Sequence, residues 1–154
     1  LSLLTFAAGA VTDLDGGLIR RVLEAGRRGF TMIVVDLPRR LDPMVHETLA
    51  RLDHLIVVAP MTFSAVASST RLCQRLPDAS LPRHLVARGS GLVVPSEAAR
   101  TMRIPLLAAM NSQRGLDEDI YLGAGPLRRP RGPLGRTAMA VAATLSRPEP
   151  VRSV

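Results

Sequence analysis

The sequence predicts an α/β domain: a parallel sheet with flanking helices, incomplete at the amino terminus. Two observations carry this expectation. Short apolar runs at Leu1–Phe6, Met32–Val35, Leu55–Ala59, Leu85–Ala87 and Ile104–Met110 alternate with segments of helical periodicity along nearly the whole chain. That alternation implies right-handed βαβ crossovers and a parallel sheet. The runs at Met32–Val35 and Leu55–Ala59 are also uninterrupted and rich in β-branched residues, the pattern of strands covered on both faces. The chain begins at Leu1 rather than Met, so further sequence is expected to precede it.

Composition narrows the function classes. A chain of 154 residues fits one domain, and 47% hydrophobic residues with a mean hydropathy of +0.19 suffice for a sizeable core. A single cysteine, Cys73, excludes an internal disulfide and any cysteine metal cluster, and its apolar helical setting reads as core. No apolar run reaches the length of a membrane span and no signal peptide is visible, so a cytoplasmic protein is expected. The net charge is +7, and all 20 basic residues are arginine. The lack of lysine removes every catalytic or phosphate-binding lysine from these residues. It also makes the basic charge look like a bias of overall composition rather than a nucleic-acid footprint, although a basic patch can still meet DNA or an acidic lipid surface. Aromatics are 3%, too few for base-stacking platforms.

In chain order, Leu1–Phe6 reads as a strand and Ala7–Gly17 as a loop. Asp13 and Asp15 look like a metal-binding D-x-D, but a carboxylate just ahead of a helix is more simply its cap. The helix over about Gly17–Arg28 places Leu18, Ile19, Val22 and Leu23 on one stripe, with Arg20, Arg21, Arg27 and Arg28 mostly off it. Gly29 stops it. The stretch Phe30–Pro38 then reads as a buried central strand ending on Asp36. A carboxylate there sits near the crevice where open α/β sheets bind ligands, and it can hold the water shell of a nucleotide-bound Mg²⁺. It can equally cap the next loop or helix, with Pro38 as a turn residue. Asp42 and Pro43 open a helix whose inward residues are Met44, Val45, Leu49 and Leu52. Pro60 ends the strand at Leu55–Ala59. Thr62 or Ser64 caps a helix to Leu76 that packs through Phe63, Val66, Ala67, Leu72 and Leu76. A loop over Pro77–Pro82 leads to the strand at Leu85–Ala87, which ends at Arg88-Gly89-Ser90-Gly91. Pro95, Ser96 and Glu97 start a short helix to about Met102, and Ile104–Met110 is the last strand. Asn111–Gly115 is a loop, Leu116–Leu122 one or two helical turns, Gly123–Gly135 irregular, and Arg136–Leu145 an Ala-rich helix. One domain over residues 1–146 and a flexible tail over 147–154 are expected. His46, His54 and His84 show no metal-ligand spacing and read as surface or strand-edge residues.

The order of these motifs resembles the carboxyl-terminal part of a deviant-Walker P-loop ATPase of the chromosome-partition and septum-site-determining group. Phe30–Pro38 matches the Walker B strand, and Asp53–Pro60 (DHLIVVAP) matches the strand that follows it in sequence. The helix from Thr62, the strand at Leu85–Arg88, the strand and base loop at Ile104–Asn111 (IPLLAAMN), and the closing loop and helix at Gly123–Leu145 follow in the family's order. LEAGRRGFTMIVVDLPR looks closest to the CpaE-like pilus-assembly branch found in secretion neighbourhoods. The resemblance covers nearly the whole chain and implies a P-loop NTPase-like three-layer sandwich. There are departures. Gly89-Ser90-Gly91 and Gly123-Ala124-Gly125 lack a G-K-S/T ending, so neither is a phosphate cradle. Arg39 stands where many relatives carry a small residue, the strand ending at Arg88 lacks an Asn, and Asn111 replaces a Pro.

The resemblance implies ATP and Mg²⁺ in the full-length protein and none for this chain alone. Asp36 would order Mg²⁺ through water as the Walker B carboxylate, and Leu37, Pro38, Arg39 and Arg40 would form a switch-like loop. Arg88 and Asn111 would flank the nucleotide base. A nucleotide-dependent homodimer would position a septum, pilus or secretion machine, in the cytoplasm or peripherally at the inner face of the membrane. No catalytic residue is expected in this chain by itself. The alternative is a non-catalytic interaction module of the same fold, binding a partner protein, DNA or a membrane surface. A Rossmann-like or flavodoxin-like small-molecule domain lacks support, because no G-x-G-x-x-G follows a strand.

Overall fold

The computed structural model describes residues 16–76, 80–126 and 128–146. The expected first strand at Leu1–Phe6, the Asp13 and Asp15 caps and the tail over residues 147–154 lie outside these. The chain divides into two compact units, Leu1–Leu52 and Asp53–Val154.

In the first unit, helix α1 (Gly16–Gly29) is followed by α2 (Pro43–Leu49). The Leu18, Ile19, Val22, Leu23 stripe makes α1 amphipathic, yet none of its residues is fully buried. A Cβ on Gly26 would come within 2.8 Å of Ile33 Cδ1, so the chain leaving α1 folds back onto its last turns. Helix α2 begins as its sequence requires. Asp42 accepts a hydrogen bond from the Val45 amide at 2.9 Å, and Pro43 fills a position whose N–H would have no helical partner. Val45, Thr48 and Leu49 are buried, whereas Met44 and Leu52 are half-buried.

The strand expected within Phe30–Pro38 does not form: residues 32–38 carry no ladder, and Val34 is 83% exposed. The physical reason is that composition selects a buried strand only where neighbours supply ladder partners and cover both faces. Among the described residues no strand pairs with this run.

The second unit holds the sheet. Its elements are β1 (Leu55–Pro60), α3 (Phe63–Arg75), β2 (Arg83–Arg88), α4 (Pro95–Met102), β3 (Leu106–Met110), α5 (Leu116–Tyr121) and α6 (Pro133–Leu145). The strands lie side by side in the order β1-β2-β3, all parallel, as expected for the three runs. Register runs from Leu55 opposite Arg83 to Pro60 opposite Arg88, and from Ala87 opposite Ala109 to Arg88 opposite Met110. An irregularity between Leu85 and Val86 leaves Leu107 unmatched in β3. Several ends shift by two or three residues from expectation. Strand β2 starts at Arg83, β3 at Leu106 and α6 at Pro133, where a proline at the first helical position is favoured. Thr62, not Ser64, caps α3, accepting from the Ala65 amide at 3.3 Å.

Helices α3 and α4 pack on each other, α3 also on β1 and α4 on β3, while α6 lies against β3. The main core joins Val57, Ala59 and Met61 to Leu85, Ala87, Val66, Cys73, Ala98, Ala99, Met102 and Ile104. Fully burying a side chain such as Leu85 stabilises by about 1.5–3 kcal/mol. Strand β1 is not covered on both faces: Val57 and Ala59 point into this core and Val58 is exposed. Among the described residues it is an edge strand, and it packs on α3. His54 and His84 also depart from the surface reading. Both are half-buried and their rings lie 5.6 Å apart, because the start of β1 runs beside the start of β2. His46 is exposed, as expected.

The loops after β1 and β2 are locked together. Met61 donates its amide to the Arg88 carbonyl at 3.3 Å, and the Val93 amide donates to the Met61 carbonyl at 3.2 Å. A Cβ on Gly91 would stand 1.9 Å from the Met61 carbonyl oxygen, so only glycine lets the second loop pass. Gly91→Ala is therefore expected to destabilise the chain by about 2–3 kcal/mol in urea unfolding, the scale of overpacking in a closed core. A midpoint unchanged from that of the parent chain would contradict this close approach.

Cys73 is buried in the core, as its sequence setting suggests. Desolvation raises its thiol above the ordinary value of 9.0, and the Arg83 guanidinium partly opposes this. A folded thiol held neutral above its unfolded value contributes stability that is present below pH 9.0 and is lost as pH rises through the folded value. Native protein at pH 8 should accordingly resist a thiol-specific disulfide reagent that reacts at once in denaturant. Rapid native labelling would show that the core opens at Cys73.

Candidate functional site

Parallel pairing in register brings the carboxyl ends of the three strands to one edge of the sheet, where ligands bind in open α/β folds. Arg88 ends β2 directly opposite Met110, the last residue of β3, and Asn111 follows immediately. The Gly89 amide donates to the Met110 carbonyl at 2.7 Å, which ties the two loops at that edge. Gly89 adopts a φ of +78°, which turns the chain sharply out of β2, and a Cβ built there would lie 3.6 Å from Ser112 Oγ. Arg88 and Asn111, separated by 22 intervening residues in sequence, thus stand at neighbouring strand ends, both exposed.

A pocket of about 230 Å³ opens beside Asn111. Its walls are Ala108, Ala109, Met110 and Asn111 from the end of β3, with Pro133, Arg136, Thr137 and Ala140 from α6. The α6 residues recur at spacings of three and four, so one helix face lines the space. Alanines at 108, 109 and 140 leave the space between α6 and the strand unfilled, and Thr137 is buried while Arg136 is exposed at the rim. The volume lies below the roughly 300 Å³ at which drug-sized ligand sites begin, which suits one planar ring system rather than a whole nucleotide. The Asn111 amide offers both donor and acceptor, the pairing that the edge of a nucleobase needs. Arg88 is not among the lining residues.

The described residues beside this pocket offer few free amides for a phosphate. Helix α6 begins with Pro133, which has no N–H, and the Leu134 amide donates to Gln113 Oε1 at 3.4 Å. Its first turn therefore has few amides left for an anion. Gly91 is committed to its approach to Met61, while Gly123 and Gly125 serve as turn residues with φ of +71° and +74°. Asp36 is exposed in the first unit, followed by half-buried Leu37 and exposed Pro38, Arg39 and Arg40. Among the described residues no group of three His, Cys, Asp or Glu side chains could hold a metal ion.

The loop read as irregular over Gly123–Gly135 has a buried anchor. The Asp119 side chain, 3% exposed on α5, forms an ion pair with Arg128 at 2.8 Å and faces Arg129 Nε at 3.8 Å. Arg129 also donates to the Arg114 carbonyl at 3.4 Å, and Arg136 donates to the Arg131 carbonyl at 2.6 Å. Sequence reasoning passed over Asp119 as one of three acids on a short helix. It also missed Thr137, which the Gly132-Pro133 helix start would have placed one turn inside α6, on the face of Ala140.

Comparisons with known proteins bear on this geometry. No protein-family model matches the sequence. Two uncharacterized proteins of Mycobacterium tuberculosis, Rv3660c of strain H37Rv and MT3760 of strain CDC 1551, are each 35% identical over 137 residues, which is 88% of this chain. The chain spans 39% of the length of these curated relatives. Among solved structures, a ParA family ATPase from Chlorobium tepidum TLS superposes with a TM-score of 0.71 at 12% identity, over 84% of this chain and 57% of the other. The fold is that of a ParA-like P-loop NTPase. The ParA-like sheet is represented here by three parallel strands with flanking helices. Among the described residues no helix is long and apolar enough to cross a membrane.

A basic edge at Arg128, Arg129, Arg131 and Arg136 carries three uncompensated charges rather than four, since Asp119 neutralises one. Any duplex binding through it should follow a log–log salt slope no steeper than about −2.7, the value for three phosphate contacts. Fluorescence anisotropy across a salt series checks this, and a salt-insensitive complex would remove the edge from consideration.

Proposed function

We propose that this chain is the carboxyl-terminal portion of a ParA-like positioning ATPase, related to septum-site-determining and CpaE-like pilus-assembly proteins. In the full-length protein, ATP with Mg²⁺ would switch a homodimer that positions a septum, pilus or secretion machine. The observation that carries this reading is the placement of Arg88 and Asn111 at adjacent carboxyl ends of parallel strands, with a ring-sized pocket beside Asn111. The fold shared with a ParA family ATPase supports it. In this reading Asn111, with Thr137 and Arg136, receives the base, and Arg88 lies at its flank. Asp36 orders the Mg²⁺ water shell and Leu37, Pro38, Arg39 and Arg40 respond to the terminal phosphate. ATP would supply the energy of the switch, and these residues contribute only its base end and its metal-ordering carboxylate.

A second reading is a non-catalytic interaction module of the same fold. It is favoured by the glycine clusters, neither of which ends in the G-K-S/T of a phosphate-binding loop. Photo-crosslinking of an azido-adenine nucleotide separates the two. Labelling within residues 108–113, lost in Asn111→Leu, supports the base site, and the absence of labelling supports the module.

Phosphoryl transfer depends on positioned amides and a lysine around the phosphates, which these residues lack. The purified 154-residue chain should therefore show no ATP turnover above background. Mg²⁺-dependent turnover that disappears in Asp36→Ala would overturn that expectation.

A further inference from the structure

We infer that Thr137 makes the pocket between β3 and α6 selective for purine rings over pyrimidines, its hydroxyl taking one edge of the ring while Asn111 takes another. This rests on the reading of the pocket as a base site and adds to it the residue that chooses the class of base. The starting point is a hydroxyl that behaves unlike the others of its type. A threonine inside a helix can donate to the carbonyl four residues back. Thr48, Thr70, Thr101 and Thr144 do so, to Met44, Val66, Glu97 and Ala140 at 2.8, 2.8, 2.9 and 3.0 Å. Thr137 is the remaining helical threonine, and its hydroxyl has no hydrogen-bond partner among the described residues. Its side chain nevertheless lines the pocket, and the residue is only 8% exposed. A hydroxyl buried without a partner is costly, so a polar atom inside the pocket is what completes it.

The two polar groups stand on facing walls. Asn111 comes from the end of β3 and is exposed, whereas Thr137 comes from α6 and lies inside. Gln113, two residues beyond Asn111, sets the space between them. Its Oε1 accepts from the Leu134 amide at 3.4 Å, which ties the start of α6 to the exit of β3. Gly135 approaches the Pro130 carbonyl so closely that no side chain fits there, and this holds the first turn of α6 in place. Polar groups fixed in advance lose little freedom on binding.

Such a pair selects by how polar atoms are distributed around a ring. The Asn111 amide offers a donor and an acceptor together, which matches the Watson–Crick edge of a purine or of a pyrimidine. Away from that edge the two classes differ. A purine carries the ring nitrogens N7 and N3, both acceptors for the Thr137 hydroxyl. A pyrimidine nucleoside presents only the C5 and C6 carbons there, which leaves the hydroxyl buried with nothing to bond. Displacing water from a hydroxyl without replacing its hydrogen bond loses affinity. A site built around a hydrogen bond therefore rejects a ligand that lacks it more strongly than an apolar wall rejects a smaller ring.

Ligand-observed NMR titrations of the 154-residue chain with adenosine, guanosine, cytidine and uridine test this. Both purine nucleosides are expected to bind roughly tenfold or more tightly than both pyrimidine nucleosides, the scale of one buried hydrogen bond. Thr137→Val keeps the shape and removes the hydroxyl, so it should weaken the purines to near the pyrimidine level. Thr137→Ser should keep the preference. Circular dichroism melting checks that each variant is folded. Nucleosides that bind, and are lost in Asn111→Leu, but with a purine preference unchanged in Thr137→Val, overturn the role of Thr137 and leave the base site standing. A parent chain that binds no nucleoside overturns the base site and this inference with it.

Discussion

The second unit depends on how closely the chain after β2 passes the carbonyl of Met61. Gly91 stands where any side chain would collide with that carbonyl, and two backbone hydrogen bonds hold Met61 between Arg88 and Val93. This contact fixes the exit of β1 against the exit of β2. The Gly89 amide on the Met110 carbonyl then fixes the exit of β2 against that of β3. A row of aligned carboxyl ends follows, and Arg88 and Asn111 become neighbours because of it. The core beneath is made of small and medium side chains, Ala59, Ala87, Ala98 and Ala99 beside Leu85 and Met102, so helices α3 and α4 can lie close to the strands.

Several arginines in this protein are structural as well as charged. Arg51 pairs with Glu47 at 2.8 Å and also donates to the Glu47 carbonyl, which closes the end of α2. Arg83 reaches the Cys73 carbonyl at 3.0 Å, linking the start of β2 to the end of α3. Arg128 reaches buried Asp119, and Arg136 reaches the Arg131 carbonyl ahead of α6. A forked, always charged guanidinium can satisfy a carboxylate or carbonyl and still keep other N–H groups in water.

The apolar run Met32–Val35 and strand β1 are close in composition, yet they differ in outcome. β1 has β2 beside it and α3 upon it, and it forms a strand with one covered face. The run at 32–35 meets Gly26 of α1 through Ile33 and carries no ladder. Backbone N–H and C=O groups need partners, and a sequence can encode readiness for a ladder without encoding the neighbour. The same reasoning accounts for Val58, which has the composition of a residue buried in a central strand and lies exposed on an edge.

The sequence by itself determined the order and type of the elements in the second unit. Uninterrupted β-branched runs, proline and glycine stops, and caps such as Asp42 and Thr62 are local signals whose physics acts within a few residues. The parallel pairing of β1, β2 and β3 was legible too, because a helix between successive strands calls for a crossover connection. What only the tertiary structure decided depends on partners distant in the chain. It placed Asn111 beside Thr137 and Arg136 in one pocket, paired Asp119 with arginines nine and ten residues later, and brought His54 against His84. It also left Asp36 exposed at the end of a run that never became a strand. Periodicity reports which face a residue prefers, but contact, ion pairing and ladder formation require a second segment that only the folded chain supplies.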